Sequence, residues 1–98
     1  MQNELIFIIN TYGTKKQEEK AIEELAELQQ AILKHREYKN CETEKNIIDE
    51  IADVQIMLEQ LKIIYSCHKE VDERVDYKIE RQIKRIKKQY NIIDEKGE

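Results

Sequence analysis

Four carboxylates stand out by their spacing. Glu24 and Glu27 are three residues apart, about one helical turn, and so are Glu50 and Asp53. Packing their two helices together would gather four carboxylates, the hard oxygen donors that a hard divalent cation takes. Their surroundings differ. Glu24 and Glu27 lie at the edge of an apolar stripe of Ala21, Ile22, Leu25, Leu28, Ile32 and Leu33, with Ala31 a turn further on. Glu50 and Asp53 share their arc with Ile47, Val54, Met57, Leu61 and Ile64, which puts them inside an apolar face. A carboxylate desolvated without a partner neutralises by raising its pKa. The alternative to a metal is a solvated face, or a base such as Lys20 or Lys34 reaching across. Around Glu50 and Asp53 that base would itself have to be buried.

The elements that hold these groups read as four helices. Asn3 to Tyr12 is a short first helix, weakened by its β-branched run and stopped at Gly13. A second runs from about Lys15 to Tyr38 in strong helix formers. Thr43 offers an N-cap for a third, reaching about Tyr65. Ser66 can cap a fourth that reaches about Asn91, with Glu70, Asp72 and Glu73 near its positive end. The third helix has apolar residues on nearly every side: Ile48 and Ile51, Val54 and Leu58, Ile56 and Ile63. Such a helix is buried on several sides, and four short helices of one chain do not surround it, so the expectation is a homodimer or a dimer of dimers.

Composition agrees. The 98 residues contain no proline and two glycines, Gly13 and Gly97, so nothing breaks a helix between Thr14 and Lys96. Sandwiches, barrels and glycine-rich phosphate loops are excluded, and the fold class is all-α in a single domain. The net charge of −4, with 39% of residues charged, argues against general nucleic-acid binding. The longest apolar run, Leu5 to Ile9, is too short to span a bilayer, and no signal-peptide pattern is present, so no membrane partner and a cytoplasmic location are expected. Cys41 and Cys67 match no metal-finger spacing and read as free thiols. His35 and His68 form no ligand set and read as surface residues. The tyrosines, Tyr12 among them, read as packing at helix edges.

The phrases Glu23-Glu24-Leu25-Ala26-Glu27 and Glu50-Ile51-Ala52-Asp53, twenty-two residues apart, resemble the paired signature of the MazG-like, all-α nucleoside triphosphate pyrophosphohydrolases. Gln17, the run Ala21 to Leu28 and the run Ile48 to Val54 are similar to small phage-type members, over about residues 12–93. The resemblance implies a four-helix pyrophosphatase-like bundle completed by homo-oligomerisation. It implies hydrolysis of a nucleoside or deoxynucleoside triphosphate between the α and β phosphates, giving the monophosphate and pyrophosphate. It also implies Mg²⁺, with Mn²⁺ as a substitute, held by Glu24, Glu27, Glu50 and Asp53, and Glu27 or Glu24 as the base that takes the proton of the attacking water. Glu23 and Asp49 point about 100° away from their neighbours and read as secondary.

On the fourth helix Val75, Ile79, Ile83, Ile86, Tyr90 and Ile93 form an apolar stripe beside a basic row of Arg74, Lys78, Arg81, Arg85 and Lys88. The row is either a solvated face balanced by Asp76 and Glu80 or a phosphate-binding surface. In the second reading Lys78 and then Arg81 hold the β and γ phosphates, with Arg85 behind them. A non-catalytic helical interaction protein is the alternative from another class, and dUTP-, dCTP- or phosphoribosyl-ATP-type pyrophosphatases are alternatives within the enzyme class.

Overall fold

The computed structural model describes residues 1–91. It contains four helices and, among those residues, no strand: α1 Gln2–Tyr12, α2 Thr14–Glu37, α3 Cys41–Ile64 and α4 His68–Gln89. No helix of the described residues is long and apolar enough to cross a membrane. Residues 1–66 form one compact unit, and the described residues from Cys67 to Asn91 belong to a second.

In the first unit α2 and α3 make an antiparallel hairpin, and α1 packs against both. Contacts give its register. Gln17 bonds Gln60 at one end, Glu24 meets Glu50 and Asp53 in the middle, and His35 bonds Thr43 at the loop. The facing residues fall at alternating spacings of four and three, the repeat of a coiled-coil seam. On α2 the seam is Gln17, Ala21, Glu24, Leu28, Ala31 and His35; on α3 it is Thr43, Ile47, Glu50, Val54, Met57, Leu61 and Ile64, all buried or half-buried. Gln60 is buried beside it, only 1% exposed.

This seam corrects the apolar stripe read from the sequence. Ile22 (70% exposed), Leu25, Ile32 and Leu33 (61%) lie on the open side of α2, whereas the face with Glu24 and the small Ala21 and Ala31 turns inward. Alanines let the two backbones approach, and a seam needs only two positions in seven. Ile48, Ile51, Ile56 and Leu58 on α3 are exposed as well, as is Phe7 of α1.

The junctions have local causes. Gly13 ends α1 and starts α2 at φ 92°, ψ 153°, donating its N–H to the Ile9 carbonyl at 2.7 Å. That backbone region belongs almost entirely to glycine. An added Cβ would meet nothing within 4 Å, so the requirement is conformational rather than steric. Gly13→Ala is therefore expected to cost about 1–2 kcal/mol of unfolding free energy, read from denaturant melts.

The third helix is capped by Asn40, not by Thr43. Asn40 Oδ1 accepts the N–H groups of Glu42 and Thr43, both at 2.9 Å, and Thr43 Oγ1 accepts the Asn40 N–H at 3.1 Å, which closes a capping box. A second use of Thr43 corrects the reading of His35 as a surface residue. His35 Nδ1 lies 2.8 Å from Thr43 Oγ1, and the imidazole is half-buried. The same hydroxyl oxygen lies 3.2 Å from the Tyr38 carbonyl and 3.0 Å from the Asn40 carbonyl. The His35–Thr43 bond ties the end of α2 to the start of α3.

Ser66 does not cap α4. It adopts φ 51°, and Cys67 occupies the N-cap position with no side-chain cap bond. The cysteines are free, Cys41 exposed and Cys67 half-buried, and His68 is exposed. No described residue of α4 is buried: Val75, Ile79, Ile83, Ile86 and Tyr90 are all open, while the sixth member of the expected stripe, Ile93, lies outside the described residues, as does Gly97.

Candidate metal centre

The four carboxylates singled out by spacing all lie in the first unit, and the α2–α3 register brings them together. One oxygen each of Glu24, Glu50 and Asp53 lie within 4.8 Å of one another, and so do oxygens of Glu23, Glu24 and Glu27. Glu24 belongs to both groups, so it is the pivot. Glu24 is 5% exposed, Glu50 is half-buried, and Asp53 is exposed at the rim. Glu23 was read as secondary because it points about 100° from Glu24, yet its carboxylate bends back to the group. Three-residue spacing alone did not reveal this, since a long side chain spans that angle.

The electrostatics are unbalanced. Lys20 Nζ lies 3.1 Å from Glu24 Oε1 and 3.5 Å from Glu23 Oε1, pairs within α2 at spacings of four and three rather than a base reaching across to Glu50 and Asp53. These bonds, that to Glu24 foremost, raise the Lys20 pKa. One ammonium, about half exposed, faces five carboxylates. The consequence is visible in three of them. Repulsion from Glu24 pushes the Glu27 carboxyl up, with smaller effects from desolvation and Glu23. Desolvation, then Glu27, Glu24 and Asp53, pushes Glu50 up; desolvation, then Glu24, pushes Asp53 up.

Two oxygens test whether the residues suit a cation. Glu24 Oε2 and Glu50 Oε2 are both buried with no hydrogen-bond partner, one on each helix of the seam. Buried polar atoms are almost always paired, and orphaned carboxylate oxygens beside further carboxylates are the donor set of a hard divalent cation. The residues fit such an ion.

The shifts carry a signed prediction. A carboxyl raised above its unfolded value favours the folded state when protonated. The metal-free stability from Glu27, Glu50 and Asp53 is therefore greatest below the ordinary carboxyl range of about 4 and falls as pH rises through the raised values. Mg²⁺ competes with protons for these oxygens, so it should raise the melting temperature more at about pH 7.5 than at about pH 5. A metal effect that is equal at both values counts against the cluster.

Lys78 and Arg81 lie on α4, in the second unit. Lys78 is exposed; Arg81 is half-buried with its guanidinium 5.6 Å from the Tyr77 ring centre, and Arg74 covers the same ring at 4.8 Å. Arg85 is exposed.

Two clefts open on the first unit beside the carboxylates. One of about 550 Å³ includes Tyr12, Gln17, Ile56 and Met57 together with Glu24 and Asp53. The other, of about 320 Å³, includes Gln30, Lys34, Asn46 and Thr43 together with Glu27 and Glu50. Gln17, in the lining of the first, donates Nε2 to Gln60 Oε1 in a buried bond of 2.8 Å. Neither glutamine was singled out as a core residue, although the spacing of four and three from Gln17 through Ala21 to Glu24 contains the signal. Comparison with protein-family models, with curated proteins and with solved structures finds no match to this chain.

Proposed function

We propose that the chain is a cytoplasmic, Mg²⁺-dependent nucleoside triphosphate pyrophosphohydrolase of the MazG-like, all-α type, working as a homodimer or homotetramer. The observation that carries it is the pair of buried, unpartnered oxygens, Glu24 Oε2 and Glu50 Oε2, inside a group that also holds Asp53. Glu24, Glu50 and Asp53 would hold the metal, with Glu27 beside them. Bound Mg²⁺ supplies charge neutralisation on the transferring phosphoryl group. The protein's own part is to orient the water and take its proton. Glu27 is the better base of the two anticipated: its oxygens join Glu24 and Glu23 but not the Glu50 and Asp53 group, and its raised pKa moves it toward neutrality. The exposed Ile22, Leu33, Ile48, Ile51 and Ile56 support a second chain as cover for the hairpin.

The test is pyrophosphate release from a panel of nucleoside and deoxynucleoside triphosphates, with and without Mg²⁺, alongside calorimetric titration of Mg²⁺ and Mn²⁺ and sedimentation at micromolar concentration. Release from at least one triphosphate, dependent on the metal, is the expected result. No release and no metal binding would sink the enzyme reading, and a stable folded monomer would remove the oligomer.

The Lys20–Glu24 ion pair favours a second reading, a non-catalytic helical interaction protein whose acids are satisfied by bases. Lys20→Met separates the two. If Lys20 is the lasting partner, the variant loses stability and still binds no metal. If it stands where a cation approaches, removing a competing charge tightens Mg²⁺ binding.

A further inference from the structure

We infer that the two clefts divide the substrate between them, the Tyr12 cleft taking the nucleoside and the Lys34 cleft taking the pyrophosphate end, with Lys34 as its binding cation. This rests on the reading of the chain as a pyrophosphohydrolase and adds to it a direction and a residue.

The argument starts from the carboxylates, which are shared out between the clefts. Glu24 and Asp53 line one, Glu27 and Glu50 the other, so a substrate reacting at the cluster extends into both. The linings differ in kind. The larger cleft contains a tyrosine ring, Ile56 and Met57, surface that a planar base covers favourably; of its lysines, Lys20 is paired with Glu24 and Glu23, and Lys16 shares the lining with Glu19. The smaller cleft has no aromatic or large aliphatic residue; Ala31 is its one apolar side chain. Gln30 and Asn46 supply amide donors, and Lys34 is its only charged side chain apart from the cluster itself. No carboxylate among the described residues is in ion-pair contact with the Lys34 ammonium. An unspent ammonium with amide donors and no hydrophobic wall binds phosphate oxygens and rejects a base.

The direction fits the chemistry. Water oxygen bonds to the α phosphorus in line with the leaving group, the bridging bond from the α phosphorus to oxygen breaks, and its electron pair leaves with the pyrophosphate, while the proton of the water goes to a carboxylate of the cluster. Negative charge therefore grows on the leaving group, on the side where Lys34 lies. Lys34 sits in the last turn of α2, where it is exposed and lines the cleft. From sequence alone Lys34 is a base available to neutralise the acids, and the phosphate contacts are expected on α4.

Separate binding of the two products tests this. Inorganic pyrophosphate and a panel of AMP, GMP, CMP, UMP and dTMP are titrated calorimetrically into the full chain with Mg²⁺. For Lys34→Gln, pyrophosphate is expected to bind at least about tenfold more weakly, the loss of one charge-assisted contact, with monophosphate binding within about twofold of the starting protein. Lys34→Arg should keep most of the pyrophosphate affinity. Tyr12→Ala should do the opposite, weakening the monophosphate and sparing pyrophosphate. Unchanged pyrophosphate binding in Lys34→Gln overturns the assignment, as does a loss found only in Lys78→Gln or Arg81→Gln. A starting protein that binds Mg²⁺ and cleaves a triphosphate while failing these contrasts rejects the division of the clefts alone; one that does neither rejects the enzyme reading and this inference with it.

Discussion

Glu50→Gln is expected to lower pyrophosphate release by about 10²- to 10³-fold while the metal-free chain becomes more stable. The two effects have one cause. Glu50 carries an oxygen that is buried without a partner and a carboxyl pushed up by desolvation and by Glu27, Glu24 and Asp53. In the metal-free chain its ionised form is unfavourable, so a neutral amide of the same shape relieves repulsion within the cluster. In the proposed Mg²⁺-loaded enzyme the same carboxylate would hold the cation, and several kcal/mol of transition-state charge stabilisation would go with it, an effect on the order of 10²- to 10³-fold in rate. The melting temperature without metal should rise, the Mg²⁺-induced increase should shrink, and turnover should fall together. Unchanged turnover would show that the cluster is not the reaction centre. Reduced stability without metal would show instead that Glu50 has a structural partner.

The largest stability effect is expected at Gln60, which is 1% exposed in the α2–α3 hairpin. Gln60→Ala removes buried volume and strands the Gln17 amide, whose Nε2 donates to Gln60 Oε1. Losses from cavity and orphaned donor together should come to about 3 kcal/mol in denaturant unfolding. Gln60→Leu fills the space but still strands Gln17, at about 1–3 kcal/mol. Adding Gln17→Leu removes both polar partners and should recover most of that loss. The non-additivity of the cycle measures the pair. An additive cycle would mean that each glutamine is satisfied elsewhere.

The helices themselves were legible from composition. With no proline and no glycine between Thr14 and Lys96, propensity had no competitor; the expected spans of α1 and α2 match the structure to within one residue, and α3 starts three residues earlier than its expected cap at Thr43 implies. The ends were harder. Thr43 looked like a cap because it is a hydroxyl before a helical run, but Asn40 takes that position and leaves Thr43 to close the box and hold His35. Ser66 looked like a cap for the same reason, and a left-handed backbone there starts α4 at His68 instead.

The inward face was not legible from hydrophobicity. Choosing the most apolar arc of α2 selected Ile22, Leu25, Ile32 and Leu33, all of which are exposed in the single chain. The hairpin uses Gln17, Ala21, Glu24, Leu28 and Ala31 because close helix approach favours small side chains and because Gln17 and His35 find partners on α3. For α3 the reading held better, since Val54 and Met57 are buried and Glu50 lies between Ile47 and Val54 on the seam.

The sequence by itself determined four helices and two acidic pairs, each one turn apart, because helical periodicity converts a spacing of three into proximity on one face. Only the tertiary structure decided what those acids are to one another. The antiparallel register set Glu24 against Glu50 and Asp53, buried one oxygen of Glu24 and one of Glu50 without a hydrogen-bond partner, and left Lys34 in the neighbouring cleft, whereas the Lys20–Glu24 pair is local to α2 at a spacing of four. The physical reason is that charge pairing and desolvation depend on distances across helices, and those distances follow from packing that no single helix encodes.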